Sequence, residues 1–230
     1  MPRRGLSHYL LATALAAGLL VTRSASAASI TFNYDQTPEG TAASGGAWLQ
    51  AVFSDSGPGT VQLTLAGPGL TGNDSLKQLF FNLDPALDPN SLVFTEIDST
   101  SGAIGTVQMG RHAFKPDCGG KCDILISFSS PAPLTGGDSI TYSISASSTP
   151  AGSTGSGHLT AASFDFPSAA AAGRPPVYTA ASVETTTGGT TTQRTLIAPP
   201  DPVPENFSTA ILIGIAVVVV AGLKRKLPAA

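Results

Sequence analysis

Apolar and polar residues alternate strictly along four stretches of the chain: Val61-Leu63-Leu65, Leu79-Phe81-Leu83, Ile124-Ile126-Phe128 and Ile140-Tyr142-Ile144. A period of two puts one side-chain set on each face of an extended segment, so these read as half-buried strands. Turn residues fall between them, at Gly57-Pro58-Gly59, Gly67-Pro68-Gly69, Gly119-Gly120 and Gly136-Gly137-Asp138. Weaker patterns extend the set, and strands are predicted near 30–34, 47–53, 60–66, 77–83, 91–97, 122–129, 139–147, 158–165, 177–184 and 191–197. Between the two ends of the chain there is no long helical periodicity. Ten short strands with turns between them predict an all-β domain over residues 28–197. The expected architecture is an antiparallel β-sandwich, jelly-roll-like. Alternation does not encode strand order.

The large apolar residues Trp48, Phe53, Phe80, Phe81, Phe94, Phe114, Phe128, Phe164 and Phe166 read as packing for this sandwich. The threonine-rich run from Thr185 to Thr195 is either a last strand pair turning at Gly188-Gly189 or the start of a flexible stalk. Threonine is a good strand former, which favours the pair.

Both ends depart from the alternation. Residues 1–27 read as a secretory signal peptide: Arg3 and Arg4, an apolar core from Leu10 to Val21, then Ala25-Ser26-Ala27 with cleavage after Ala27. At the other end, Phe207 to Leu223 is a run of 17 residues without a charge. As a helix it would span about 25 Å, the lower limit for a bilayer core. Its β-branched residues form helices poorly in water, but in lipid the backbone must pair internally, which forces the helix. Lys224, Arg225 and Lys226 follow as a stop-transfer cluster, leaving 224–230 cytoplasmic and the domain outside. Residues 198–206, with Pro199, Pro200, Pro202 and Pro204, form a stiff extended spacer.

Val203-Pro204-Glu205, the apolar span and the basic cluster together resemble the PEP-CTERM sorting signal of exported bacterial proteins. The resemblance implies recognition and cleavage of the tail by a membrane-embedded exosortase. Asn206 stands where that family carries its second proline. Inside the domain, Phe81-Asn82-Leu83-Asp84-Pro85, the stretch Cys122 to Phe128 and the stretch Leu159 to Phe164 are similar to landmarks of a group of exported PEP-CTERM proteins. That likeness implies no particular biochemical activity.

Removing the ends changes the electrostatics. Residues 28–205 hold 6 basic against 15 acidic side chains, net −9. Such a surface repels nucleic acid and anionic lipid, and neither is an expected partner of the domain. Cys118 and Cys122 flank Gly119-Gly120-Lys121 and are the chain's two cysteines, so in an exported protein they read as a disulfide. A loop that short would stabilise by only ~2 kcal/mol. A zinc or redox site would call for more ligands or a C-x-x-C spacing. Asn82, Asp84, Asp88 and Asn90 could offer oxygen ligands to calcium, but Asp-Pro pairs are ordinary turn chemistry and no EF-hand pattern is present. His112 and His158 are the histidines that remain after signal removal, without a G-x-S-x-G elbow or an H-E-x-x-H helix. No catalytic residue, metal or cofactor is expected.

The sequence thus points to a non-enzymatic protein, exported across the inner membrane and held by its C-terminal helix until processing, then at the cell surface or outside the cell. Its expected partners are an exosortase-type enzyme and, in the alternative reading, exopolysaccharide bound by a carbohydrate-binding sandwich. Glycan binding calls for a row of exposed aromatics, so the faces taken by Trp48 and Tyr142 discriminate.

Overall fold

The structure, a computed structural model, describes residues 28–38, 45–100, 102, 105–117, 119–128, 133–146, 158–171 and 175–198. These residues form eleven strands: β1 (Ser29–Tyr34), β2 (Leu49–Gly57), β3 (Thr60–Ala66), β4 (Asp74–Phe81), β5 (Leu92–Ser99), β6 (Gly105–Phe114), β7 (Cys122–Phe128), β8 (Leu134–Thr135), β9 (Ser139–Ala146), β10 (Thr179–Thr187) and β11 (Thr190–Ala198). One sheet runs β1-β2-β3-β9-β5 and the other β11-β10-β4-β7-β6, with the short β8 also pairing β4. All the pairings are antiparallel. The architecture is a β-sandwich.

The four alternating stretches supply its centre. Val61, Leu63 and Leu65, then Ile140, Tyr142 and Ile144, face inward from one sheet. Leu79, Phe81, Ile124, Ile126 and Phe128 meet them from the other. In β4 the inward set changes from even to odd numbers, because Ser182 pairs Gln78 while Val183 pairs Leu76. That bulge leaves Lys77 as the extra residue and lets both Leu76 and Leu79 reach the core. A one-residue irregularity thereby saves two leucines from solvent.

The threonine run is a strand pair. Thr185 to Thr187 pair Thr190 to Thr192 across Gly188-Gly189. Both glycines have positive φ, 60° and 82°, as a two-residue hairpin turn requires.

The segment 158–165, expected as a strand, is instead a 3-10 turn over Ala161–Phe164. Polar residues at both ends of the turn explain the difference: the Thr160 N–H donates to Ser163 Oγ at 3.1 Å, and the Ser163 N–H donates back to the Thr160 carbonyl at 2.9 Å. The turn delivers Phe164 into the core, stacked on Phe53 at 4.3 Å with an interplanar angle of 18°. Phe53 also meets Phe32 and Phe81 edge-on, at 6.0 and 5.4 Å. A smaller cluster of Phe80, Cys122, Leu125, Val177 and Ala180 lies apart from the main core.

The two lateral sides of the sandwich differ. On the β1–β11 side, Gln36 bridges Ile197, whose N–H donates to the Gln36 carbonyl at 3.0 Å. The Tyr34 hydroxyl bonds Thr179 Oγ1 behind it. The Arg194 guanidinium covers the Trp48 ring at 5.0 Å. On the β5–β6 side no ladder joins the two edge strands among the described residues, and as far as these go that side is open.

Among the described residues no helix is long and apolar enough to cross a membrane. The expected signal peptide (1–27), the span (207–223) and the cytoplasmic tail (224–230) lie outside the described residues.

Candidate functional site

The open side holds a cleft of about 430 Å³, lined by Leu92, Val93, Phe94 and Glu96 of β5, Gly105, Val107 and Met109 of β6, and Tyr142 of β9. That volume falls in the range of small-molecule sites. Its position follows from the topology, since β5 ends one sheet and β6 ends the other. Phe94 leans on Phe81 and Tyr142, each 6.3 Å away between ring centres. Val107 and Met109 pack against the core from the other side. Val93 (47% exposed) and Ile97 (54%) are the large apolar side chains left exposed among the described residues, and both belong to β5.

Tyr142 is 2% exposed, and among the described residues its hydroxyl makes no hydrogen bond of full geometry, only the Gly105 amide lying against it. Gly105 lies against this oxygen: a Cβ there would collide with the hydroxyl and with Ile126. The Gly105 amide can only donate, so the phenolic proton has no acceptor. Burial pushes the Tyr142 pKa up to about 12, helped by the Glu96 carboxylate and opposed by the Gly105 amide. The phenol therefore stays protonated at physiological pH and keeps a proton to give.

A carboxylate stands beside a histidine elsewhere. Asp123, 2% exposed, accepts from the His112 N–H at 2.7 Å and from the Leu83 N–H at 3.2 Å, and lies 3.4 Å from His112 Nδ1. The backbone explains the pair. Between Met109↔Ile124 and Phe114↔Cys122, β6 carries four residues opposite Asp123 alone, and His112 sits at φ 53°. The carboxylate satisfies the amides this bulge frees, a structural duty. No hydroxyl bonds His112 among the described residues, and His158 is exposed.

Several other acidic residues are also spent on local geometry. Asp84 accepts from the Ala86 N–H at 2.8 Å, and Asp88 caps a 3-10 turn through the Asn90 N–H at 3.0 Å. Asn82 donates to the carbonyls of Val177 and Tyr178. No group of three or more His, Cys, Asp or Glu side chains suited to a metal forms among the described residues. Asp74, 4% exposed, accepts from the Thr71 N–H and Oγ1 at 2.8 Å each and from Thr185 Oγ1, with Arg194 Nη2 3.4 Å away. Burial alone would raise its pKa; the hydrogen bonds from Thr185 and Thr71 and the Arg194 charge outweigh that and hold it below the usual carboxylate value.

Of the sequence-derived sites, Cys122 is fully buried in the smaller apolar cluster, while Cys118 lies outside the described residues. The sorting motif Val203, Pro204 and Glu205, the cleavage-site residues Ala25 and Ala27, and Lys224, Arg225 and Lys226 lie outside them as well. Trp48 is half-buried under Arg194 and Tyr142 is buried, so neither offers a flat platform to solvent. No aromatic residue is among the exposed large apolar side chains of the described residues. The cleft had no sequence signal.

No protein-family model matches the chain, and no curated protein matches it. Among solved structures it is similar to a biomass-sensing module of the Rsgi2 protein of Clostridium thermocellum, described as resembling a family 3 carbohydrate-binding module of the cellulosome. The identity is 16% and the TM-score 0.31, over 77% of this chain and 98% of that one. A likeness that low leaves the function to be argued from this chain's own residues.

Proposed function

We propose that this chain is an exported, non-enzymatic surface or matrix protein whose tail is a PEP-CTERM-like sorting signal. The observation that carries the proposal is the order of three parts within 28 residues: Val203-Pro204-Glu205, the uncharged run Phe207 to Leu223, and Lys224-Arg225-Lys226. The acidic surface and the carboxylates committed to turns and bulges support a domain that presents a fold rather than performs a reaction. In this reading the signal peptide directs export, the C-terminal helix holds the precursor in the inner membrane, and an exosortase-type enzyme removes the tail. The mature domain then stands at the cell surface or outside the cell.

Intact-mass analysis of membrane and secreted fractions tests the sorting. Mature protein is expected to begin at Ala28 and to end near Glu205. Pro204→Ala with Glu205→Ala should leave unprocessed precursor in the inner membrane at an unchanged melting temperature, because both positions lie in the proline-rich spacer, outside any strand pattern of the sequence. Release of the double variant at the wild-type level would reduce the tail to an ordinary hydrophobic anchor.

Cys118 and Cys122 are proposed to be bridged in the exported protein. Alkylation of unfolded, unreduced protein should then modify neither. Modification of both would remove the bridge from the account.

A second reading, binding of exopolysaccharide along a sheet face, lacks the row of exposed aromatics it calls for among the described residues, and what still favours it is one cleft. The open β5–β6 side combines apolar walls with a buried hydroxyl and a carboxylate.

A further inference from the structure

We propose that the β5–β6 cleft binds one neutral sugar residue, its apolar face against Phe94 and Met109 and its hydroxyls bridging Tyr142 Oη and Glu96. The inference rests on the polysaccharide reading above and gives it a site.

Three features of the cleft select this chemistry. The first is the Tyr142 hydroxyl, buried against the Gly105 amide with no acceptor for its own proton among the described residues. An unmade hydrogen bond on a buried group is costly, and a ligand that supplies an acceptor recovers that cost. A purely apolar ligand would fill the space and leave the proton stranded.

The second is Glu96, an exposed carboxylate in the cleft wall, close enough to Tyr142 to help raise its pKa. It repels an anion, as does the net −9 of the surrounding segment. It asks for a donor, whereas Tyr142 asks for an acceptor. An alkylammonium offers donors alone and would serve Glu96 but not Tyr142. A hydroxyl both donates and accepts, so neighbouring hydroxyls on one ring serve both groups.

The third is the apolar lining of Leu92, Phe94, Val107 and Met109. A pyranose presents axial C–H bonds as an apolar face, and such a face packs on the face of an aromatic ring or against a thioether.

The edges of the cleft argue against a strand of another chain as its occupant. In β5 the register shifts between Glu96 and Asp98, making Ile97 a bulge, and charged side chains flank it on both sides. In β6 the residues from 110 to 113 leave the ladder altogether, and the Arg111 side chain turns back to bond the Leu87 carbonyl. Bulges and charges are how proteins blunt an exposed edge against pairing.

The experiment titrates the purified exported protein with methyl glucoside, methyl galactoside and methyl mannoside, followed by ligand-observed NMR. At least one of the three is expected to bind saturably. Tyr142→Phe should weaken that binding about tenfold, the loss of one hydrogen bond. It should leave the melting temperature unchanged or slightly raised, because the hydroxyl has no acceptor within the fold. Glu96→Gln should weaken binding as well without affecting folding, since the side chain is exposed. Failure of all three glycosides to saturate would overturn the proposal, as would a Tyr142→Phe variant that binds like wild type. So would tighter binding of cyclohexanol or cyclohexylammonium than of any glycoside. Retention of purified exopolysaccharide by protein that saturates with none of the three glycosides would overturn this site and leave the polysaccharide reading standing, whereas failure to retain it would overturn both.

Discussion

Phe53→Ala is expected to destabilise the sandwich by about 3–5 kcal/mol, the usual loss for a buried phenylalanine cut to a methyl. The ring is 1% exposed and sits where both sheets and the 3-10 turn converge, in contact with Phe32, Phe81 and Phe164. Its removal opens a void that none of three neighbours can fill, since Phe32 and Phe81 are fixed in strands and Phe164 is held by its turn. Domains of this size hold roughly 5–15 kcal/mol in total, so the variant loses a large share of its stability. Thermal unfolding followed by circular dichroism should show the midpoint lowered by roughly 6–20 °C. Ile97→Ala, at the most exposed large apolar position, should move it by less than about 2 °C. Equal effects at the two positions would mean that the aromatic cluster is not the centre of the fold.

The second large effect is expected at Asp74. Asp74→Ala removes the acceptor for two Thr71 donors and for the Thr185 hydroxyl, and it strips Arg194 of its counter-ion. Breaking a buried pair from one side costs several kcal/mol; Arg194 is 33% exposed as a side chain although its Nε and Nη2 are buried, so about 2–4 kcal/mol is expected. Asp74→Asn keeps the shape and part of the hydrogen bonding and should cost less. The sign of the pH effect follows from the shift. The Asp74 carboxyl is held below its ordinary value in the fold, so the folded state binds fewer protons there than the unfolded state. Its contribution is complete above the ordinary carboxylate value and is lost as pH falls below about 4. Denaturant unfolding at stepped pH should therefore show a shallower acid loss in Asp74→Ala than in wild type. Parallel curves would show that this carboxylate is not linked to folding.

Strands with a fully buried face were legible from the sequence because each repeats one apolar set without interruption. The stretch 60–66 matches β3 residue for residue. The bulge at Lys77 broke the rule locally, and the prediction over 77–83 missed the start of β4 at Asp74. The strand β6 was invisible for a different reason. As an edge strand it half-buries Val107 and Met109 and then meets Gly110, so only two apolar residues mark it before the bulge at 110–113. The two-residue β8 is too short to carry a period. In 158–165 the buried Leu159, Ala161 and Ser163 imitate alternation, while the Thr160–Ser163 exchange of hydrogen bonds decides for a turn. The cleft was illegible altogether. Its walls come from β5, β6 and β9, and sequence has no way to say that two sheets end beside one another. Tyr142 could be read as core, which it is, but its missing acceptor is a fact of three-dimensional placement.

The stitched side of the sandwich bears on how the domain carries mechanical load. In the proposed anchored precursor, tension from the membrane would enter through the spacer at Ala198, the last residue of β11. An edge strand pulled from its end peels away one rung at a time, which resists little force. Here the next residue to feel the pull is Ile197, and its amide is bonded to Gln36, just beyond the end of the first strand. A few residues further in, Arg194 is gripped by Asp74 on one side and Trp48 on the other. The pull is thereby shared with the opposite sheet before the β10–β11 hairpin can open. The side of the fold that closes the core is also the side that would bear the proposed tether.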